Sequence, residues 1–174
     1  MTKDVIDAIK ERRTIRKFAA DPLPEATIGR LIEAARCAPS AGNIQPWHFS
    51  VVLNGEVRRR LAEAAHGQEF LGEAPVCVVV SAEPGRSAAS YGRRGESLYC
   101  LQDTAAAVQN MLLAATGYGL GSAWVGAFDE EAVREAANLP ESFRPVALVA
   151  LGHPAEEGEE TPLRAQEEVA EIIH

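Results

Sequence analysis

The amino-acid sequence predicts an α+β domain, in which helices cover both faces of a mostly antiparallel or mixed sheet. Three observations carry that expectation. Val76-Cys77-Val78-Val79-Val80 is a continuous, β-branched-rich run, the pattern of a strand buried on both sides. Between Leu98 and Thr116 the apolar positions Leu98, Leu101, Ala105, Val108, Met111, Leu112 and Ala115 keep near-helical spacing among small residues, as a central buried helix requires. Shorter strand-like stretches at Trp47–Leu53, Ala123–Val125 and Pro145–Leu151 alternate with helical segments and turn residues.

Taken in order, Val5, Ile6 and Ile9 mark a helix from about Asp4 to Arg12, after which Thr14-Ile15-Arg16-Lys17-Phe18 turns extended. Pro22 and Pro24 end that piece. A second helix opens at Pro24-Glu25, where proline suits a first turn, and runs through Ile28, Leu31, Ile32 and Ala35 until Pro39. Pro39 to Gln45 is then a polar loop in front of the Trp47 strand. Asn54-Gly55 separates that strand from a third helix rich in Arg and Ala. Tyr91, Arg93 and Arg94 fall in a Gly- and Ser-rich stretch that reads as a solvated loop able to cover a pocket, which makes them candidates for the substrate side. Gly117 to Gly121 ends the central helix, and Asp129 caps another that reaches about Ala137. The tail from His153 to His174 is acidic and polar as far as Val169–Ile173. With no repeat and no long linker, residues 1–174 are expected to form a single domain.

The chain has 174 residues and a formal charge of −8, which argues against general affinity for nucleic acid or for an anionic membrane. No apolar segment approaches the ~20 residues of a membrane helix. Acids within the first ten residues and the lack of a secretory apolar run point to a cytoplasmic location. Cys37, Cys77 and Cys100 show no metal or redox spacing and read as free thiols in the core.

Against this acidic background, Arg12-Arg13-Thr14-Ile15-Arg16-Lys17 is an unusual concentration of cations. Converging guanidinium forks and a hydroxyl suit a phosphate monoester. The same cations also suit the C-terminal end of a helix, where they complement its dipole. Pro39-Ser40-Ala41-Gly42-Asn43-Ile44-Gln45 offers short polar side chains between prolines that limit its freedom. Asn43 and Gln45 each donate and accept, so they can read the edge of a planar heterocycle or simply satisfy a turn. Gly117, Gly119 and Gly121 are not a dinucleotide fingerprint, because they follow a helix and lead into a strand, the reverse of the required order. The four histidines lack metal-ligand spacing and none is joined to a nucleophile, so no metal ligand is assigned. Trp47 and Trp124 are expected in the core.

RRTIRKF, PSAGNIQPWHF and GYGLGSAWVGAF, in this order, resemble the three signature segments of the FMN-dependent nitroreductase-like family. QDTAAAVQNMLLAA and ALGHPAEE with the later Arg164 extend the resemblance over nearly the whole chain. The resemblance implies a nitroreductase-like fold and an intertwined homodimer with FMN at the interface. It also implies that Arg12, Arg13, Thr14 and Arg16 bind the FMN phosphate, ribityl chain and pyrimidine side, and that Arg164 completes the phosphate clamp. Ser40 and Asn43, with the neighbouring backbone of Pro39 and Ala41, would contact the ring, partly from the other subunit; Gln45 would support the loop or touch the pyrimidine. The backbone of Val125-Gly126-Ala127 would lie along the flavin N5 side. Two departures stand out: Thr14 replaces a common Ser and keeps its hydroxyl, and Gly126-Ala127 replaces Glu-Gly or Gly-Gly.

The implied activity is hydride transfer from NADH or NADPH through FMN to a small acceptor such as a nitroaromatic or quinone, in alternating turnover. No side chain is assigned as an obligatory acid or base. The alternatives are a specialised flavoenzyme of the same fold and a non-catalytic flavin-binding or redox-sensing module.

Overall fold

The computed structural model describes residues 4–173. Its sheet has four strands, β1 (Trp47–Val52), β2 (Val76–Ala82), β3 (Gly121–Val125) and β4 (Arg144–Gly152), in the order β1-β2-β4-β3 with every neighbouring pair antiparallel. The helices are α1 (Val5–Glu11), α2 (Glu25–Arg36), α3 (Gly55–Ala64), α4 (Phe70–Glu73), α5 (Pro84–Arg94), α6 (Cys100–Gly117), α7 (Glu130–Ala136) and α8 (Gln166–Val169). Asp4, Asn54 and Asp129 cap α1, α3 and α7 by accepting first-turn amide protons, which fixes where those helices start.

Because successive strand residues point to opposite faces, β2 divides the interior in two. Val76, Val78 and Val80 join Val149 and Leu151 of β4 against α2 and α6, around Leu31, Val108 and Met111. Cys77 and Val79 join Leu148 and Ala150 on the other face, against Leu61, Leu71 and Val133 of α3, α4 and α7. All seven β2 residues are buried, which is why this strand reads as a continuous apolar run without alternation.

The register also fixes which loops share an end of the sheet. Trp47, Ala82 and Arg144 lie side by side at one end, while Val52, Cys77, Ala150 and Ala123 lie side by side toward the other, with Ser122 one residue beyond. Residues 14–18 join that second end, where Thr14 bridges Ser122 of β3 in parallel and Phe18 bridges Pro154.

Three expectations need correction. Tyr91, Arg93 and Arg94 lie on α5 rather than in a loop; α5 breaks at Gly92 (φ 53°) and passes through a π-turn at Gly95–Tyr99 into α6. The segment's Gly and Ser residues hid the helix because they are there for packing: a Cβ on Gly95 would collide with the Ser87 carbonyl oxygen. Trp124 points away from the core and is 42% exposed, whereas Trp47 is buried. Cys37 follows α2 on the surface, while Cys77 and Cys100 are buried; all three thiols are free.

Candidate functional site

The cationic segment is an extended strap pinned to the outer edge of β3. Ile15 donates its amide to the Ser122 carbonyl at 2.9 Å and is buried, so alternation turns Thr14 and Arg16 outward. Gly121 makes this approach possible, since a Cβ there would lie 2.9 Å from Ile15 Cγ2. On the tail side, Glu156 Oε1 accepts the amides of Arg16 (2.6 Å) and Lys17 (3.0 Å), and these donors hold its carboxyl below the usual carboxylate range.

The strap's cations are not equivalent. Arg13 donates to the Lys10 and Arg12 carbonyls and lies 3.8 Å from Glu160, while Lys17 lies 4.0 Å from Glu156. Among the described residues no carboxylate pairs with Arg12 or Arg16, and Arg16 sits over the Phe70 ring at 5.8 Å. Two clefts flank the strap. One of 600 Å³ is lined by Thr14, Arg16 and Lys17 against Glu156, Glu157 and Thr161. The other, of 430 Å³, is lined by Arg12, Arg13 and Thr14 against Glu160, Thr161 and Leu163. Arg164 is not gathered into this cluster in the single chain, because its guanidinium bonds the Glu168 carboxylate at 3.1 Å and the Glu168 carbonyl at 3.0 Å.

Val125, Gly126 and Ala127 continue from β3 on the same edge as the strap. Gln68 donates to the Ala127 carbonyl at 3.2 Å, two residues from the Phe70 that carries Arg16, so the α3–α4 connection ties the two segments together. Beside them a 320 Å³ cavity is lined by Trp124, Gly126 and Phe128, by Leu101, Thr104 and Val108 of α6, and by the Arg144–Glu130 pair at 2.8 Å. The Arg144 guanidinium holds the Glu130 carboxyl below its ordinary range.

The polar loop is a separate and strained element. Gly42, Asn43 and Gln45 have φ of 57°, 56° and 55°, a left-handed conformation that costs non-glycine residues energy and persists only where contacts enforce it. Four contacts do so. Ser40 Oγ accepts the Gln45 amide (2.9 Å), and Gln45 Nε2 donates to Asn43 Oδ1 (3.2 Å). Arg86 donates to the Ile44 carbonyl (2.7 Å), and Asp103 accepts the Ala41 amide on both oxygens (3.2 Å each). Tyr91 packs against Gly42 so closely that a Cβ there would lie 2.5 Å from its hydroxyl.

This loop enters β1, while the strap sits at the far end of β3, the opposite edge strand. Four strand spacings across and about five residues along place the two about 25 Å apart. One chain therefore presents the two halves of the expected site at diagonally opposite corners.

The nitroreductase family model matches residues 9–70 and 65–153, which take in the strap, the loop and Val125–Ala127. The chain belongs to the nitroreductase family. Within it, this nitroreductase-family chain is 36% identical over 182 aligned residues to a Thermus thermophilus protein named NADH dehydrogenase, spanning 89% of each chain. It is 31% identical to a Rhodospirillum rubrum 5,6-dimethylbenzimidazole synthase, over 89% of this chain and 84% of that one. Among solved structures, the NADPH:FMN oxidoreductase from Vibrio harveyi complexed with NAD⁺ superimposes with a TM-score of 0.89 at 27% identity, covering 99% of this chain and 78% of that one.

Asp103, Gln68, Phe70 and Glu156 escaped the sequence reading. Asp103 carried a signal, being a lone acid on the otherwise apolar face of CLQDTAAAV. Glu156 had none, since it is one of four acids in the five residues Glu156 to Glu160, interrupted only by Gly158.

Proposed function

We propose that this protein is an NAD(P)H-dependent FMN oxidoreductase that passes hydride from a nicotinamide to a small acceptor such as a quinone or nitroaromatic. The observation that carries this reading is the strap, where among the described residues Arg12 and Arg16 have no carboxylate partner and the exposed Thr14 borders both flanking clefts, one with Arg16 and the other with Arg12. Two uncommitted guanidinium groups and a hydroxyl are the donor set of a phosphate monoester, so the residues present fit FMN. The names of the Vibrio harveyi and Thermus thermophilus relatives support the same cofactors.

In this reading the protein's residues bind, orient and exclude water. Arg12, Arg16 and Thr14 take the phosphate and ribityl end, with Arg13 shaping the strap through its carbonyl contacts and Arg164 joining once Glu168 releases it. Val125, Gly126 and Ala127 offer backbone to the ring edge, and Trp124 and Phe128 wall the neighbouring cavity. Bound there, FMN supplies two-electron transfer between donor and acceptor. No side chain is required as acid or base.

The site is completed by a second copy, whose Pro39–Gln45 loop meets the strap and Val125–Ala127 of the first. Two features favour such a homodimer: the diagonal separation of the halves within one chain, and apolar residues left uncovered. Val5, Ile6 and Ile9 on α1 are 51–62% exposed, and Leu163, Ile172 and Ile173 in the tail are 83–92% exposed. Chain exchange of the tail would cover both.

The test is an anaerobic titration of the flavin-loaded protein with NADH and NADPH. Loss of flavin absorbance, followed by recovery on adding a quinone, is expected; a loaded protein inert to both nicotinamides overturns the enzyme reading in favour of a binding module. The dimethylbenzimidazole synthase relative favours a second reading, a specialised flavoenzyme. Benzimidazole formation without quinone turnover would establish it.

A further inference from the structure

We propose that Asp103 is the positioning residue for the flavin-facing loop: by accepting the Ala41 amide, its buried carboxylate holds the Ser40–Gln45 loop, left-handed at Gly42, Asn43 and Gln45, in the shape that presents Ser40 and Asn43. The inference rests on the flavin reading of that loop.

Asp103 lies in the first turn of α6, only 8% exposed, and both of its oxygens are 3.2 Å from the Ala41 nitrogen. Ala41 opens a short turn whose next residues, Gly42 and Asn43, are left-handed, as is Gln45 two positions on. Within the loop only a single 3-10 turn, through Asn43 N–H to the Ser40 carbonyl (3.0 Å) and Ile44 N–H to the Ala41 carbonyl (3.2 Å), supports that conformation, so its placement against the rest of the protein falls to point contacts. Of these, Asp103 is the contact that reaches the loop from the rigid central helix, whereas Ser40 and Asn43 bond within the loop itself. Like the Arg86 bond to the Ile44 carbonyl, the Asp103 bond is charge-assisted.

The charge is kept in spite of its surroundings. Burial raises the Asp103 carboxyl above its ordinary value, and the Ala41 amide offsets this only in part. The ionised form is thus disfavoured by folding: that cost is full above the raised folded value, declines as pH falls through it, and is gone below the ordinary value of 3.8. A neutral isostere should relieve the cost while loosening the loop, the trade expected of a group retained for function. The titratable and charged groups around it are Cys100 on the same helix, a thiol raised by burial that feels both Asp103 and Arg144, and on α5 Arg86 and Tyr91, which touch the same loop.

The experiment compares wild type with Asp103→Asn in the full chain, reading amide exchange at Ala41, unfolding stability, and FMN affinity between pH 8 and 4. In the variant we expect about tenfold faster Ala41 exchange and about tenfold weaker FMN binding, with stability equal or higher. Wild-type affinity should fall toward the variant's as pH drops through the raised carboxyl range, and the gap between the two should close. A variant whose FMN affinity stays within twofold of wild type across that range refutes the positioning role, whether or not exchange changes. Loss of stability in parallel with affinity also refutes it, since that is what a merely structural role predicts. Should the variant fail to fold, wild type alone decides: Ala41 exchange, corrected for its intrinsic pH dependence, must rise as the carboxyl protonates. If wild type binds no FMN at all, the flavin reading fails first, and a pH-dependent Ala41 exchange would show that failure to be separate from the geometry of the loop.

Discussion

Adding one methyl group at Gly121 tests whether the strap's position on β3 matters. An alanine Cβ there would lie 2.9 Å from Ile15 Cγ2, 3.0 Å from Cβ and 3.1 Å from Cγ1. These are the root of a β-branched side chain rather than its free end, and Ile15 is buried, so rotation about χ1 cannot clear the contact. The strap backbone must move instead, stretching the 2.9 Å bond from Ile15 to Ser122. Overpacking of this kind costs about 1–3 kcal/mol. For a chain of this size that lowers the thermal midpoint by about 3–10 °C. The same displacement shifts Thr14 and Arg16, so FMN binding should weaken along with stability. Denaturant unfolding and FMN fluorescence titration of Gly121→Ala measure the two effects. A variant with wild-type midpoint and wild-type affinity would show that the strap does not depend on this contact, and the reasoning would be wrong.

Glu156 gives a pH signature of its own. Its carboxyl is held below the ordinary value of 4.5 chiefly by the Arg16 amide, so its contribution to strap order is present above 4.5 and lost as pH falls through the lowered value. Exchange of the Arg16 and Lys17 amides should be faster in Glu156→Gln at pH 7, and wild type should approach the variant only below pH 4.5; equal protection at all pH values would remove Glu156 from the account. Arg12→Ala with Arg16→Ala should leave the fold intact and weaken FMN binding about 30-fold, taking about 1 kcal/mol for each exposed charge-assisted bond after solvent screening. Its residual binding should depend less on salt than that of wild type, and full flavin retention in the purified variant would refute the clamp.

Much of the fold was legible because burial dictates residue type. The two-sided burial of β2 made Val76–Val80 an unbroken apolar run, and the spacing of α6 showed through its small residues. α5 was not legible, since Gly92 and Gly95 serve a kink and a close helix contact while looking like loop residues. For the site, the order of RRTIRKF, PSAGNIQPWHF and GLGSAWVGAF placed three segments but not their separation, which depends on strand order. Nor could sequence distinguish Arg12 and Arg16 from Arg13, because the difference lies in Glu160, a residue far along the chain. Trp124 looked like core because tryptophan usually buries its area, yet it lies at the rim of a cavity.

A site assembled from the strap of one copy and the loop of another can be tested by complementation. Arg12→Ala/Arg16→Ala chains and Ser40→Trp chains, each expected to bind FMN poorly, are co-refolded in equal amounts. Half of the resulting dimers are mixed, and each mixed dimer carries one intact strap facing one intact loop, so about a quarter of the wild-type FMN sites should return. Recovery of no sites, with both variants folded and dimeric, would mean that each chain binds FMN with its own strap and its own loop, and would contradict the account.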